Sequence, residues 1–143
     1  MSTDLEKKYV TDKDVGFTAS ITSQVTEKTI QQFAEMSGDY NPIHMDDAFA
    51  KQTRFGQRIA HGMIVGALIS RALNEKLGGG GVYLGQSLKF LKPVLINDSV
   101  TVTITIVALR KEKGIASVET IAKNQRDEVV CKGEAMIMMS SGL

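Results

Sequence analysis

The chain has 143 residues, which is about one domain at the usual ~100–200 residues each. Its 17 Lys and Arg nearly balance its 16 Asp and Glu, with no basic stripe, which excludes a nucleic-acid-binding function. The first fourteen residues, a polar arm ahead of a domain at 15–143, hold seven charges and resemble no secretion signal. No apolar run approaches the ~20 residues of a membrane helix, and the single Cys131 fits a reduced compartment. We therefore expect a cytoplasmic protein with neither a nucleic-acid nor a membrane partner.

The chain then predicts one strand and a first helix. Alternating apolar residues predict a strand within Val15–Val25. Thr26 is a typical N-cap for a helix that runs to about Met36 and stops at Ser37-Gly38. The segment Asp39–His44 is therefore expected to be a loop.

Two further helical segments follow. A short helical turn is predicted at Asp46–Lys51. Residues Ala60–Leu77 predict a helix of about four turns, and because it is apolar around most of its circumference we expect it to be buried. The run Gly78–Gly81 ends that helix, and it favours a C-cap and loop over a phosphate cradle because no Gly-Lys-Ser/Thr follows.

The rest of the chain predicts an antiparallel sheet. In Ser99–Arg110, branched apolar residues alternate with threonines, which is the pattern of a half-buried antiparallel strand. Turn sequences at Lys113-Gly114 and Arg126-Asp127 flank the next strand. We predict an α+β domain in which a four-stranded meander, joined by the earlier strand, curves around the long helix. The meander strands are Tyr83–Phe90, Ser99–Arg110, Ile115–Lys123 and Glu128–Met139.

The segment from Gly38 to His44 carries most of the chemistry. Gly38 is free to adopt a positive φ, and Pro42 biases Asn41 toward extended backbone, so the segment forms a rigid bend. Such a bend can bring the Asp39 carboxylate and the His44 ring to one point, where both hold a single water. A base and a ring that titrates near neutrality suit the addition of water to a 2-enoyl thioester. On its own, the Gly-Asp-x-Asn-Pro pattern is more often a simple turn.

The start of the long helix supplies a third requirement, which is stabilisation of the enolate-like oxygen on C1. The Gly62 N–H is the candidate donor, because glycine lets a thioester carbonyl approach and the helix N-terminus carries about half a positive charge. One such donor is worth ~2.7–4 kcal/mol in the transition state. We expect His61, just before it, to serve structure through hydrogen bonding at the N-terminus of that helix.

Four segments together resemble a known signature. They are Ser37 to His44, Phe49-Ala50, Thr53-Arg54-Phe55-Gly56 and His61-Gly62-Met63. This set resembles the hydratase-2 signature of the MaoC-like, (R)-specific enoyl-CoA hydratases, and the resemblance extends from about Val15 to the C-terminus. One departure is Gly79-Gly80-Gly81-Val82, which stands where the family often has Pro-Gly and bears on the acyl-chain pocket or its lid.

The resemblance implies a hot-dog fold and the reversible, (R)-specific hydration of trans-2-enoyl-CoA to (R)-3-hydroxyacyl-CoA. It implies Asp39 as the principal base and His44 as the partner that orients the same water, beside the Gly62 donor. Asn41 and Ser70 are the supporting residues, with Ser70 matching a position that helps to fix the catalytic loop. No cofactor is implied, because CoA is part of the substrate.

The expected partners are an acyl-CoA thioester and a second copy of the chain. Arg54 and Arg58 are candidates to meet the CoA phosphates, and Met63 and Leu73 are further candidates for substrate contact. A free sheet edge and a small protomer favour self-association, and hot-dog proteins typically pair two sheets across a two-fold axis. We therefore expect a homodimer.

Several alternatives stay open. A metal is not expected, since the two histidines with Asp46 and Asp47 match no familiar ligand spacing. An (R)-3-hydroxyacyl dehydratase acting on acyl-carrier-protein thioesters would use the same site in reverse. An acyl-CoA thioesterase or a non-catalytic acyl-CoA-binding protein would not need the Asp39/His44 pair together with Gly62. The acyl-chain length and the pathway, whether polyester synthesis, fatty-acid oxidation or fermentation, are also open.

Overall fold

Residues 13–139 are described by a computed structural model of the chain. The helices are α1 (Glu27–Ser37), α2 (Pro42–Met45), α3 (Asp47–Lys51) and α4 (Gly62–Leu77). The strands are β1 (Thr18–Gln24), β2 (Val82–Gln86), β3 (Lys89–Phe90), β4 (Ser99–Arg110), β5 (Ile115–Lys123) and β6 (Val129–Met138). Most of the predicted N-terminal arm, residues 1–12, lies outside the described residues. No helix within 13–139 is long and apolar enough to cross a membrane.

The strands form one antiparallel sheet in the order β1-β4-β5-β6-β2, with β3 also pairing with β6. The predicted α+β class and antiparallel sheet are confirmed. The predicted four-stranded meander is wrong in one part, because only β4, β5 and β6 follow one another across the sheet. The strands β2 and β3 cross over to pair with β6 at the opposite edge. Alternation of apolar residues predicts that a strand exists, but it does not say which strand lies beside it.

The single strand predicted at Tyr83–Phe90 is in fact two short strands. Between Tyr83 and Gly85 the register against β6 shifts, as at a β-bulge. At Ser87 the chain stays bonded to β6, since its N–H donates to the Glu134 carbonyl at 2.9 Å. The Ser87 carbonyl lies so close to Gly133 that a Cβ there would be 1.8 Å from its oxygen. This contact between distant parts of the chain has no local sequence signal.

Helix α4 packs one face against the sheet and forms the centre of the core. Its buried residues meet the buried face of β4, where every second residue from Val100 to Ile106 points inward. Burying each such side chain contributes roughly 1.5–3 kcal/mol. The expectation that this helix is buried holds for one face only, because Met63 is 53% exposed and Ser70 is also exposed. The helix also begins at Gly62 rather than Ala60.

Helix α1 delivers the chain to the turn that carries Asp39. Thr26 caps its start as predicted, with the side chains of Thr26 and Thr29 each accepting the other residue's N–H at 3.2 Å. Gly38 ends it in the left-handed conformation at φ 75°, and its N–H donates to the Ala34 carbonyl. These two caps set where the helix stops, and therefore where Asp39 begins.

Candidate active site

The Asp39–His44 turn is held by hydrogen bonds within itself. The Asn41 N–H donates to Asp39 Oδ1 at 3.2 Å, and Asn41 Oδ1 accepts the Ile43 N–H at 3.1 Å. Asn41 is thus the N-cap of α2, and Pro42 occupies the first helical turn. The predicted loop is therefore wrong at its end, since His44 belongs to a short helix. Asn41 contacts the turn through its backbone N–H toward Asp39 and caps α2 with its side chain.

The His44 ring is oriented by a backbone carbonyl. Its Nδ1 lies 2.8 Å from the Ile59 carbonyl oxygen, and the side chain is only 9% exposed. Because a carbonyl oxygen only accepts, Nδ1 carries the proton in the neutral ring, and Nε2 keeps a free lone pair. His44 can therefore accept a hydrogen bond from a water through Nε2.

The His61 ring contacts the same turn through the backbone of Asp39. Its Nε2 donates to the Asp39 carbonyl oxygen at 2.9 Å, and its ring lies 4.0 Å from the His44 ring, centroid to centroid. The ring is 2% exposed, and Nδ1 has no hydrogen-bond partner among residues 13–139. His61 occupies the N-cap position of α4. The expected hydrogen bond from its side chain to the N-terminus of that helix is not formed. The sequence contains no local signal for its contact with Asp39.

Three side chains converge at this point. One atom each from Asp39, His44 and His61 lie within 4.8 Å of one another. Asp39 is exposed to solvent, whereas the two histidines are buried, so the cluster opens outward through the carboxylate. Such a group can hold one water, and by distance alone it can also hold a divalent cation. His44 Nδ1 and His61 Nε2 are engaged with backbone carbonyls, which leaves one nitrogen on each ring.

The start of α4 lies beside this cluster, and within residues 13–139 no side chain caps its N–H groups. Gly62 and His44 line one cleft of about 430 Å³, whose other walls are mostly apolar. A Cβ at Gly62 would lie 3.0 Å from the Phe90 ring, so only glycine packs here without displacing Phe90. Gly62 thus places a helix N-terminus beside His44, and its role as a donor to the thioester oxygen stays a prediction. An anion or a polarised carbonyl suits such a position.

The sequence of the chain matches a known family over most of its length. Residues 6–129 match the MaoC-like domain. The chain belongs to the MaoC-like family. A protein named (R)-specific enoyl-CoA hydratase from Aeromonas caviae is 39% identical over 127 residues, which is 88% of this chain and 95% of that protein.

One solved structure and one plant relative extend the comparison. An R-hydratase of Pseudomonas aeruginosa superimposes with a TM-score of 0.87 at 40% identity, covering 92% of this chain and 86% of that one. A mitochondrial 3-hydroxyacyl-[acyl-carrier-protein] dehydratase of Arabidopsis thaliana is 35% identical over 87% of this chain and 76% of its own length. The resemblance seen in the sequence and the hot-dog fold it implied are confirmed.

The four substrate-contact candidates of this MaoC-like protein and the supporting residue Ser70 fall into three places. Arg54 and Met63 line the His44 cleft and are exposed. Leu73 and Ser70 line a second cleft of about 280 Å³. Ser70 lies two turns along α4, about 12 Å from Gly62 at 1.5 Å per residue, so the structure does not bring it to the Asp39–His44 turn of the same chain. Arg58 is buried and bonded to the backbone of His44, and it lines neither of these two clefts.

Proposed function

We propose that this protein is an (R)-specific enoyl-CoA hydratase. It adds water to the 2,3 double bond of a trans-2-enoyl-CoA to give (R)-3-hydroxyacyl-CoA, and it catalyses the reverse dehydration. The observation that carries the proposal is the meeting of Asp39 and His44 within 4.8 Å, beside the uncapped start of α4. The name of the Aeromonas caviae relative supports the reaction and its stereochemistry.

The Asp39/His44 pair would move the protons. As the water oxygen bonds to C3, Asp39 takes one of its protons, and the π electrons of the C2–C3 bond move toward the thioester oxygen. The Asn41 N–H occupies Asp39 Oδ1 and leaves Oδ2 for the water. His44 orients that water through Nε2 and helps to return a proton to C2. The pair therefore ends the cycle in its starting charge state.

The thioester oxygen would bind at the start of α4. Negative charge develops on this oxygen while C2 awaits its proton, and the Gly62 N–H with the helix dipole stabilises it. Removing one such donor typically costs about 10²–10³ in kcat. Arg54 at the same cleft is a candidate for the CoA phosphates, and Met63 for the acyl chain. The proposal includes neither a metal nor a cofactor, since CoA belongs to the substrate.

Crotonyl-CoA tests the proposal directly. The loss of enoyl-thioester absorbance is followed with EDTA present, and the product is oxidised with an (R)-specific 3-hydroxyacyl-CoA dehydrogenase. We expect rapid loss of absorbance and full oxidation by the (R)-specific enzyme. Release of free CoA thiol without hydration would indicate a thioesterase, and binding without either reaction would indicate a non-catalytic acyl-CoA-binding protein.

A dehydratase acting on acyl-carrier-protein thioesters is the second candidate function. It is favoured by the Arabidopsis relative, whose name specifies that substrate. The two functions share the site and differ in what carries the acyl group. The ratio of kcat/KM for crotonyl-CoA to that for the crotonyl carrier protein separates them, and for the hydratase we expect a ratio well above one.

We also propose that the protein acts as a homodimer. The edge strand β2 is exposed along most of its length and carries Val82, Tyr83 and Leu84, each more than 40% exposed. An open, apolar sheet edge favours pairing with another strand. A second copy of this chain supplies an identical edge and closes the assembly through two-fold symmetry.

A further inference from the structure

Arg58 is a buried cation bonded to one backbone carbonyl and placed beside two carboxylates. Its side chain is 8% exposed, and its Nε donates to the His44 carbonyl oxygen at 2.7 Å. Its Nη2 donates to Glu27 Oε1 at 2.9 Å, and Nη1 lies 3.8 Å from Asp47 Oδ1. Two carboxylates therefore compensate the buried guanidinium, while one donor is committed to the backbone of the histidine.

These contacts tie three helices together at the site. Glu27 lies in the first turn of α1, His44 in α2 and Asp47 in the first turn of α3. Ile59, which follows Arg58, adds two more hydrogen bonds. Its carbonyl oxygen accepts the His44 Nδ1–H, and its N–H donates to the Ile43 carbonyl oxygen. The backbone and the ring of His44 are thus both held by residues 58–59.

We propose that Arg58 is a positioning residue for His44, fixing the ring in the tautomer and place from which Nε2 meets the reacting water. This inference rests on the proposed hydratase function. A planar, forked donor suits the role because it reaches a carbonyl and two carboxylates at once, which a lysine ammonium on a flexible stem cannot do with the same geometry. The hydrogen bond from Arg58 is also the main cause that lowers the pKa of Glu27. Glu27 therefore keeps its negative charge, and its attraction for Arg58, further into the acid range.

Three variants and a control test the role by kinetics on crotonyl-CoA. Arg58→Met removes the hydrogen bonds to His44 and Glu27 and the charge beside Asp47. Arg58→Lys keeps the charge, and Glu27→Gln keeps an acceptor for Arg58. Arg126→Lys is the control, since Arg126 is likewise bonded to a carboxylate, that of Glu128, in the β5–β6 loop. Because a displacement near 1 Å can cost about 10²-fold, we expect Arg58→Met to lower kcat by about 30- to 100-fold with KM changed less than about threefold. Among the three variants, kcat should be highest in Glu27→Gln, lower in Arg58→Lys and lowest in Arg58→Met. The control Arg126→Lys should keep the wild-type kcat.

A spectroscopic readout separates this inference from the proposed function. The chain has two histidines, so ¹⁵N spectra of the imidazole nitrogens contain two sets of signals. In wild type we expect the proton of the neutral His44 ring to lie on Nδ1, and in Arg58→Lys we expect a mixture with the Nε2-protonated tautomer. If wild type hydrates no enoyl-CoA, the proposed function fails while the tautomer shift still decides the role of Arg58. The inference would be overturned if the Arg58 variants kept the wild-type tautomer and a kcat within threefold of wild type. A rise in KM with no change in kcat would also overturn it, because Arg58 would then be a residue that binds CoA.

Discussion

At the scale of single residues, His61 joins Asp39 to the ring of His44. Replacing it by phenylalanine removes the bond to the Asp39 carbonyl, and it also removes the buried Nδ1, which has no partner in the described part of the chain. These two losses oppose each other in stability, so we expect His61→Phe to change the free energy of unfolding by less than about 1 kcal/mol. We expect kcat to fall at least about tenfold, because Asp39 loses its support.

The matched control for that prediction is His61→Gln, whose amide keeps a donor toward the Asp39 carbonyl and should retain most of the activity. Urea unfolding gives the stability and crotonyl-CoA turnover gives kcat. Unchanged turnover in His61→Phe would show that Asp39 holds its place without His61.

The residues that the sequence identified and those that it missed differ in how far away their partners lie. Asp39 and His44 could be paired from sequence because Gly38, Asn41 and Pro42 shape one short turn between them. Arg58 and His61 could not be understood in this way, since each acts on a residue more than ten positions earlier in the chain. Their identities alone suggested a CoA contact and a helix-terminal hydrogen bond.

At the scale of elements, the junction between β2 and β3 depends on the absence of a side chain at Gly133. A Cβ there would lie 1.8 Å from the Ser87 carbonyl oxygen, a backbone atom that cannot swing aside. We expect Gly133→Ala to destabilise the protein by about 3 kcal/mol or more in urea unfolding, because the two strands must separate. Gly85→Ala, with open space around its Cβ, is the control and should change stability by less than about 1 kcal/mol. Equal effects of the two changes would contradict this account of the junction.

The loop between β5 and β6 makes stability depend on acid pH through Glu128. Hydrogen bonds from Lys92, Asn124 and Arg126 lower the pKa of Glu128 from 4.5 to about 2. A carboxylate whose pKa is lower in the folded state than in the unfolded chain stabilises the fold at every pH above the unfolded-state pKa. That contribution is lost as the pH falls from about 4.5 toward and below 2. We expect wild type to melt at a higher temperature than Glu128→Gln at pH 7, with the gap closing across that window. In a Lys92→Met background, the difference in melting temperature at pH 7 between the protein that keeps Glu128 and the one with Glu128→Gln should be smaller, because one of these hydrogen bonds is removed. A difference as large at pH 2 as at pH 7 would contradict the assignment.

The elements that were predicted well are those with local patterns. The strands β4 and β5 have the predicted bounds, because alternation and flanking turns define both ends. The strand β1 is shorter than its apolar pattern, and α4 shows a partly exposed face although it is apolar around most of its circumference. What a face packs against is decided by the rest of the fold or by another molecule, and composition does not carry that information.

At the scale of the whole molecule, the exposed edge β2 leads to a prediction about assembly. Leu84→Lys places a charge on this edge, so we expect the mass by light scattering to fall from about twice the 15.5 kDa chain mass to one chain. Val107→Lys is the control, because Val107 is similarly exposed at 44% but lies on β4 inside the sheet order. A dimeric Leu84→Lys protein, or a monomeric wild type, would place the interface elsewhere or remove it.

In the proposed mechanism Asp39 and His44 act as one unit on one water, and a double-mutant cycle on kcat/KM for crotonyl-CoA measures their coupling. The enzymes compared are wild type, Asp39→Asn, His44→Ala and the double variant, each shown to be folded by circular dichroism. We expect each single change to lower kcat/KM by about 10²–10⁴, the range for a general acid or base. We expect the double variant to be about as slow as the slower single one, because residues that act together are not additive. Multiplicative losses, or a single variant that retains wild-type activity, would contradict the claim.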